Sequence, residues 1–144
     1  MSQSTSHTTR LQCGPDPLPA GQLPAVVMWD INSPDIESAR NFYAAVFGWQ
    51  ISPAGDPPVR LSTVTAGAGG INGVLGQAPA HGDPDSGIRH QGLIVYVKVH
   101  DVAASLAKAV EHGGTAIWGP TEVAPGFWLA QFDDPSGVRI GLST

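Results

Sequence analysis

The stretch VVMWDINSPDIESARNFYAAVFGWQI, residues 26–51, is followed about 66 residues later by GLIVYVKVHDVAASLAKAVEHGGTAI, residues 92–117. At this offset Asp35 aligns with Asp101. Few of the aligned side chains are identical, but the order of their physical roles is the same. Internal repetition of this kind decides the fold class before any single motif does.

Each copy begins with an apolar, β-branched run, 25–31 and 93–99, which predicts a buried strand. Asp35 and Asp101 follow, and each can accept hydrogen bonds from the free N–H groups that begin a helix. Apolar residues then recur at helical spacing, and a glycine such as Gly48 ends the helix because it adopts the left-handed conformation easily. The apolar stripes are Ile36, Ala39, Phe42, Tyr43, Val46 and Phe47 in the first copy and Val102, Leu106, Ala109 and Val110 in the second.

Three shorter extended segments are predicted after each helix, separated by turn-rich stretches such as PAGDPP and DDPSG. The order strand, helix, three strands therefore occurs twice, in modules 24–76 and 90–144. The Pro-, Gly- and Asp-rich stretch 77–89 is predicted to be the loop that joins them. A ferredoxin-like α+β sandwich is the alternative, but its βαβ unit would leave two strands over. The three strands predicted after the first helix are 49–52, 59–66 and 71–75, and the three predicted after the second helix are 115–118, 127–132 and 138–142.

Composition limits the classes of function. The chain has 144 residues and a formal net charge of −5, which suits one globular domain and argues against nucleic acid as a partner. Cys13 is the only cysteine, so no intrachain disulfide can form. Residues 1–23, rich in polar residues, Pro and Gly, predict a flexible N-terminal arm. No signal peptide or membrane span is expected, and a cytoplasmic location follows by default.

Two motifs resemble the vicinal oxygen chelate superfamily, which includes glyoxalases, bleomycin resistance proteins and extradiol dioxygenases. They are SPDIESARNFYAAVFGW, residues 33–49, and FWLAQFDDPSGVRIGL, residues 127–142. The resemblance covers residues 24–143. It implies an α+β fold in which two βαβββ modules, with mixed sheets and outer helices, form a single glyoxalase-like cup for a small organic molecule.

The same resemblance locates the positions where metal-dependent relatives carry their ligands. In this chain these positions hold Met28, Ile94 and Gly141, with Gly73 or Val74 as the fourth. None offers the imidazole or carboxylate that Zn, Fe, Mn or Ni sites prefer. We therefore expect no bound metal and no other cofactor.

Strand alternation predicts which side chains replace the metal. Asp30 lies two residues after Met28, Tyr96 lies two after Ile94, and Arg139 lies two before Gly141, so all three are predicted to face the cup. A carboxylate in an apolar strand is costly to bury, and burial raises its pKa toward the range of a general acid or base. Asp30 and Tyr96 are therefore the predicted catalytic residues. The alternative role for Asp30 is structural: an ion pair with Arg139 or Lys98, or a hydrogen bond to a backbone N–H. The alternative role for Tyr96 is ordinary packing within a strand.

Aromatic residues provide further candidates. Trp29 is predicted to point to the helix side, opposite Asp30, and Trp49 belongs to the FGW packing element. Trp118 and Trp128 lie where they could stack on a flat ligand, or else pack in the core or at the rim. The predicted substrate-binding residues are Met28, Ile94, Trp118, Trp128, Gln131 and Arg139.

Two functions are compatible with these residues. One is a metal-independent isomerase, cyclase or lyase that uses Asp30 for proton transfer on a carbonyl or phenolic substrate. The alternative is a bleomycin-resistance-type protein that sequesters a drug or natural product. A homodimer is expected from the free edges of such sheets, and no membrane partner is expected.

Overall fold

The repeat predicts the order of strands and helices that is found in a computed structural model, which describes residues 11–54, 61–78 and 92–144. Two N-cap aspartates begin the helices as expected: Asp35 Oδ1 accepts from Ser38 N at 3.1 Å and Asp101 Oδ1 accepts from Ala104 N at 2.9 Å. The elements are β1 (Ala25–Ser33), α1 (Ile36–Phe47), β2 (Gln50–Ala54), β3 (Leu61–Thr65), β4 (Gly73–Gln77), β5 (Gly92–Lys98), α2 (Val102–Glu111), β6 (Thr115–Ala124), β7 (Phe127–Asp133) and β8 (Arg139–Ser143).

The described strands form one eight-stranded sheet in the order β2-β3-β4-β1-β5-β8-β7-β6. The first strands of the two modules, β1 and β5, pair antiparallel at its centre. Within each module the first and last strands pair in parallel, β1 with β4 and β5 with β8. The two halves thus repeat the same βαβββ topology, which confirms the predicted fold class.

Each helix covers its own half of the sheet. Under α1, a cluster formed by Ile36, Val64 and Leu75 is extended by Trp29 and Trp49, whose rings are 5.2 Å apart. The predicted helix-side position of Trp29 and the packing role of Trp49 are therefore confirmed. Under α2, the buried cluster contains Val99, Val102, Leu106, Ala130 and Leu142. Both cores lie on the convex face, which leaves the opposite face of the sheet for a site.

Residues 11–14 and Leu18, within the segment 1–23 that was predicted to be a flexible arm, lie against the folded domain, whereas residues 19–23 are exposed. Leu18 is only 3% exposed, and Lys98 Nζ donates to Gln12 O at 2.8 Å and to Gly14 O at 3.3 Å. Cys13 Sγ also lies 3.0 Å from Ser143 Oγ. Polar composition suggested disorder, but these contacts use main-chain carbonyls and one apolar anchor, which composition does not report. We call residues 11–14 the strap.

Two further sequence predictions bear on the ends of elements. Gln77, expected in the linking loop, is the last residue of β4, and the rest of that loop from residue 79 lies outside the described residues. The sixth strand runs to Ala124, well beyond the predicted end at residue 118. None of the described helices is long and apolar enough to cross a membrane.

Candidate functional site

Alternation along the two central strands places one set of side chains on the concave face. Asp30 is paired with Ile94, and Met28 with Tyr96, in the antiparallel register of β1 and β5. These four residues therefore share the face opposite Trp29, as predicted from the sequence. Residues of β7 and β8 extend the face, because the registers link Tyr96 to Gly141 and Gly141 to Gln131.

The positions that hold metal ligands in related folds do not suit a metal here. Met28, Ile94 and Val74 supply no oxygen or nitrogen side-chain donor. At Gly141 the space of a side chain is already filled, since a Cβ built there would overlap the ring of Tyr96. Among the described residues no group of three or more His, Cys, Asp or Glu side chains could hold an ion.

Asp30 is the buried carboxylate at the centre of this face. It is 4% exposed, and its Oδ1 has no hydrogen-bond partner. Burial raises the pKa of Asp30 from an ordinary value near 3.8 to about 6, against a smaller lowering by the Asn32 side chain. Such a carboxyl group can hold or release a proton near neutral pH.

The ion pairs considered for Asp30 are not formed. Arg139 binds Asp133 instead, with Nε to Oδ1 at 2.8 Å and Nη2 to Oδ2 at 3.2 Å. Lys98 is bound to the carbonyls of the strap. Arg139 Nη1 is buried without a partner, so one donor of the guanidinium remains unused beside the cup. Its pairing with Asp133 is the main structural role of Arg139.

Tyr96 and Gln131 form a buried pair on the second module. Gln131 Nε2 donates to Tyr96 Oη at 2.6 Å, and the two residues are 2% and 1% exposed. Burial, and then the charge of Asp30, raise the pKa of Tyr96 well above its usual range. The phenol therefore stays neutral, and its own proton is left to donate, while Gln131 Oε1 has no partner.

Asn32 belongs to the site although the sequence prediction omitted it. It lies two residues after Asp30, is 2% exposed, and both its Nδ2 and its Oδ1 lack partners. The alternation that selected Asp30 would also have selected Asn32, but β1 was predicted to end at Ile31 and in fact continues to Ser33. Buried amides normally find partners, so an unpaired one indicates a site for a ligand or an ordered water.

A cavity of about 780 Å³ lies next to this part of the sheet. Met28 of β1 and Val74 of β4 form part of its wall, and Val74 is the register partner of Asp30. Asp30 is thus one strand away from a wall residue, although it does not line the cavity itself. Gln12 and Cys13 of the strap close another side. A smaller cavity of about 350 Å³ reaches Asn32 from the end of β1 nearest to α1.

The two predicted stacking tryptophans lie on different faces. Trp118 is paired with Gln131 across β6 and β7, which puts it at the rim of the concave face. Trp128 has the opposite parity to Gln131 along β7 and is 39% exposed, so it points to the convex side. The cavity is lined instead by Phe127, the residue before it, which the sequence analysis did not select.

The candidate site consists of a few buried polar atoms that have no partners and a mainly apolar cavity next to them, which those residues do not line. A raised-pKa carboxyl group can move a proton, and a neutral phenol and an amide can hydrogen-bond the oxygen on which charge develops. Sites for small organic molecules have this character. The buried atoms without partners belong to Asp30, Asn32, Gln131 and Arg139.

Comparison with known proteins gives results for sequence and for fold. A family model described as Glyoxalase/Bleomycin resistance protein/Dioxygenase superfamily matches residues 23–142. Anthracycline biosynthesis protein DauV of Streptomyces sp. (strain C5) is 28% identical over 128 residues, which cover 83% of this chain and 46% of DauV. The chain thus spans about half the length of the curated relatives it matches.

Solved structures share the fold at low identity. A hypothetical protein, BH1468 of Bacillus halodurans C-125, has a TM-score of 0.63 at 17% identity, covering 85% of this chain and 94% of its own. A variant of Streptomyces coelicolor methylmalonyl-CoA epimerase, solved with 2-nitronate-propionyl-CoA, has a TM-score of 0.60 at 19% identity, with 85% and 95% covered. At these identities the likeness concerns the fold alone.

Proposed function

Because the chain belongs to the Glyoxalase/Bleomycin resistance protein/Dioxygenase superfamily, we propose that its cup binds a small carbonyl or phenolic compound and catalyses a proton transfer on it. The observation that carries this proposal is the unpartnered Oδ1 of Asp30, which is 4% exposed. Leaving a carboxylate in this state costs stability. Active sites keep such groups because their pKa values match the reaction.

In the proposed reaction the Asp30 carboxylate removes a proton from a carbon that lies between a carbonyl group and a C=C bond of the substrate. The C–H bond breaks, its electron pair moves toward the carbonyl oxygen, and an enolate conjugated with the C=C bond forms. The carboxylic acid of Asp30 then returns the proton to the far carbon of that C=C bond, so the net change is an isomerisation in which the double bond moves into conjugation with the carbonyl group. With a pKa near 6, Asp30 is a base at neutral pH and still returns the proton readily.

Tyr96 is proposed to stabilise the developing oxyanion. Its pKa is raised by burial, so it remains a neutral hydrogen-bond donor under all ordinary conditions. Gln131 occupies the phenol oxygen at 2.6 Å, which directs the remaining hydroxyl proton away from β7. A fixed donor of this kind stabilises charge without reorganising during the reaction. Gln131 is thus a positioning residue.

The proposed reaction uses no metal ion. The support is the donor set: Met28, Ile94 and Val74 are weak or inert ligands, and the Tyr96 ring takes the space above Gly141. The corresponding test is a thermal-shift series with Zn²⁺, Mn²⁺, Fe²⁺ and Ni²⁺, followed by a chelator. We expect no stabilisation by any of these ions. An ion that did bind tightly would be detected in this series, because at 100 times its Kd it would add about 2.7 kcal/mol to the free energy of unfolding.

For the substrate we propose a fused-ring phenol or quinone that also carries a ketone with an adjacent saturated C–H group. The curated relatives are named as anthracycline biosynthesis proteins, and anthracyclines carry phenol and quinone groups on fused rings. The cavity of about 780 Å³ and its apolar walls, including Phe127, are compatible with such a ring system. Trp118, at the rim, can stack on its face.

A homodimer also belongs to the proposal. The described sheet has β2 and β6 as its outer strands, and α1 exposes Phe42 and Phe47 by 57% and 58%. Sedimentation equilibrium at several concentrations tests this, and a monomer at all of them would contradict it.

Deuterium exchange into ligand carbon atoms is the experiment that tests proton transfer without knowledge of the product. A panel of fused-ring phenols and quinones, each carrying a ketone with an adjacent saturated C–H group, is incubated with the protein in D₂O and analysed by mass spectrometry, while thermal shift records binding. Asp30→Asn should lower the exchange rate at least about a hundredfold and leave binding within about threefold. The matched control, Glu122→Gln, changes an exposed carboxylate of β6 and should retain full exchange.

The outcomes separate the two candidate functions. Unchanged exchange in Asp30→Asn would refute the role of Asp30. Tight binding of some compounds without exchange in any of them would instead support a sequestering protein, in which the same cavity holds its ligand unchanged. The pH profile adds a second criterion, because exchange should rise as the pH passes through about 6 and Asp30 ionises.

A further inference from the structure

The cavity of about 780 Å³ ends one strand short of Asp30. Across the sheet, Thr63 pairs with Val74, and Val74 pairs with Asp30. Thr63 and Val74 line the cavity, whereas Asp30 does not. On the other side of Asp30, its partner Ile94 is 0% exposed. A molecule that crosses the sheet from the cavity therefore meets Val74 before it meets the carboxyl group.

Met28 borders Asp30 along the strand. It precedes Asp30 by two residues on β1, so the two side chains share one face and their Cα atoms are about 7 Å apart. Met28 lines the cavity, and it pairs with Tyr96 across β1 and β5. Met28 thus lies next to the cavity and next to both residues that are proposed to act in the reaction.

The two wall residues beside Asp30 differ in how freely their side chains can move. Val74 is β-branched, so its χ1 rotamer is restricted. Met28 is unbranched, with three rotatable bonds and a thioether that adapts to irregular space. It is half-buried, and it belongs to neither of the apolar clusters under α1 and α2. Core packing therefore does not hold Met28 in one rotamer, and the wall can open there without movement of the strand.

We propose that Met28 is the access residue of the cup: its side chain closes the cavity against Asp30 and moves aside when a substrate approaches the carboxyl group. The inference rests on the proposed proton transfer by Asp30, and it adds a residue that determines which bound molecules react. Closure keeps Asp30 away from water between reactions, in agreement with the 4% exposure of that residue. A ligand can then fill the cavity without reacting, and reaction requires in addition that Met28 changes its rotamer.

The titration of Asp30 tests this wall without any ligand. Met28→Ala should admit water to the carboxyl group and so remove part of the burial that raises its pKa to about 6. Carboxyl ¹³C NMR of the aspartate-labelled full chain, with the signal assigned by Asp30→Asn, should show a midpoint at least about half a pH unit lower than in the wild type. If Met28→Ala does not fold, Met28→Val shortens the side chain with a residue that favours strands and should shift the midpoint in the same direction.

Val26→Ala is the matched control for this titration. Val26 lines the same cavity and is 46% exposed, but it lies further from Asp30 along β1, so its truncation should leave the midpoint unchanged. None of these substitutions changes the ionisable groups on this face and in the strap, which are Cys13, Tyr96, Lys98, Asp133 and Arg139.

Deuterium exchange into the panel compounds tests access itself. Met28→Ile keeps the approximate volume but restricts χ1, so the open rotamer is populated less. Its exchange rate at saturation should fall about tenfold while KM and the thermal shift stay within about twofold, because the ligand still fills the cavity and only the competent fraction decreases. Met28→Leu, which is not branched at Cβ, should keep at least about half of the wild-type rate.

The outcomes separate this inference from the proposed function. An unchanged Asp30 midpoint in the truncated variants, or equal exchange rates in Met28→Ile and Met28→Leu, would overturn the access role and leave proton transfer by Asp30 intact. A rise in KM that accounts for the whole loss of activity in Met28→Ile would also overturn it, because Met28 would then only contribute to binding. Absence of exchange in the wild type would overturn the proposed reaction and the access role together, even where the titration shows that Met28 shields Asp30.

Discussion

Asp30 and Lys98 are two buried charges on the same face of neighbouring strands, and they differ in what surrounds them. Lys98 is 1% exposed, but its ammonium group donates to Gln12 O at 2.8 Å and to Gly14 O at 3.3 Å. Asp30 is 4% exposed, and its Oδ1 receives nothing. The protein has thus satisfied one charge and left the other available.

This difference separates a structural from a functional use of burial. A buried ion with hydrogen-bond partners can fix a neighbouring segment, as Lys98 fixes the strap, whereas an unsatisfied ion only costs stability. Natural proteins keep such costs where a ligand or a reaction needs the free group. Removing Asp30 should therefore stabilise the protein, and removing Lys98 should destabilise it.

The largest expected effect is on the pH dependence of stability. The folded pKa of Asp30, about 6, lies above its ordinary value near 3.8, so the folded state binds this proton more tightly than the unfolded state does. The contribution is fully present below pH 4 and is lost as the pH rises through 6, a change of about 3 kcal/mol in the free energy of unfolding. Asp30→Asn should remove it.

Urea unfolding from pH 4 to 8 measures this effect as the difference between wild type and Asp30→Asn. The variant should match the wild type near pH 4 and be more stable by up to about 3 kcal/mol at pH 8. Glu122→Gln, at an exposed position, should show no such divergence. Parallel curves for wild type and Asp30→Asn would mean that Asp30 is satisfied in solution.

The opposite sign is expected for Lys98. Lys98→Met keeps most of the side-chain volume but leaves the carbonyls of Gln12 and Gly14 without their donor. We expect a loss of about 2 kcal/mol in the free energy of unfolding, because hydrogen bonds to a charged group stabilise more than neutral ones. Amide exchange at Gly14, whose N–H donates to Thr144 O at 3.3 Å, should accelerate.

Lys108→Met is the matched control, since Lys108 lies exposed on α2, and it should leave the strap protected. A stable Lys98→Met protein with unchanged exchange at Gly14 would show that the apolar anchor Leu18 holds the segment without help. In that case Lys98 would not have the structural role that the comparison with Asp30 assigns to it.

Arg139 is an intermediate case, with two nitrogens paired and one free. Lysine cannot reproduce the two parallel bonds to Asp133 at 2.8 and 3.2 Å. Arg139→Lys should therefore lose about 1 kcal/mol in urea unfolding, less than Lys98→Met. Arg40→Lys is the control, because Arg40 makes only a long hydrogen bond to Ser62 Oγ at 3.5 Å and a 3.8 Å contact with Glu37. A loss above that of Lys98→Met would reverse the ranking.

The sequence predicted the fold, and the shared face of Asp30 and Tyr96, for the same reason. Both depend on periodicity: the repeat gave the βαβββ order, and alternation from Met28 and Ile94 placed Asp30 and Tyr96 on one face. Contacts made by main-chain atoms were beyond this reasoning, and so the strap around Cys13 was expected to be flexible. Its carbonyls bond to Lys98, and no residue type signals that.

Errors at strand ends explain the remaining differences. Asn32 was omitted because β1 was expected to stop one residue earlier, at Ile31, since polar residues and Pro34 follow. In the structure the parallel pairing with β4 extends β1 to Ser33. Trp128 was selected as an aromatic residue near a turn, without the alternation that places Gln131 on the opposite face.

The smallest effect should therefore be at Trp128. Trp128→Leu removes a side chain that is 39% exposed on the side of the sheet that the helices cover, so the affinity for the fused-ring compounds of the panel should stay within about twofold of the wild type. Phe127→Leu, at the residue that lines the cavity, should weaken the binding of all these compounds alike, because stacking depends little on the ring substituents. Absorption titrations of the panel compounds measure this. A larger loss with Trp128→Leu than with Phe127→Leu would show that the aromatic wall of the cup lies on the face now assigned to the core.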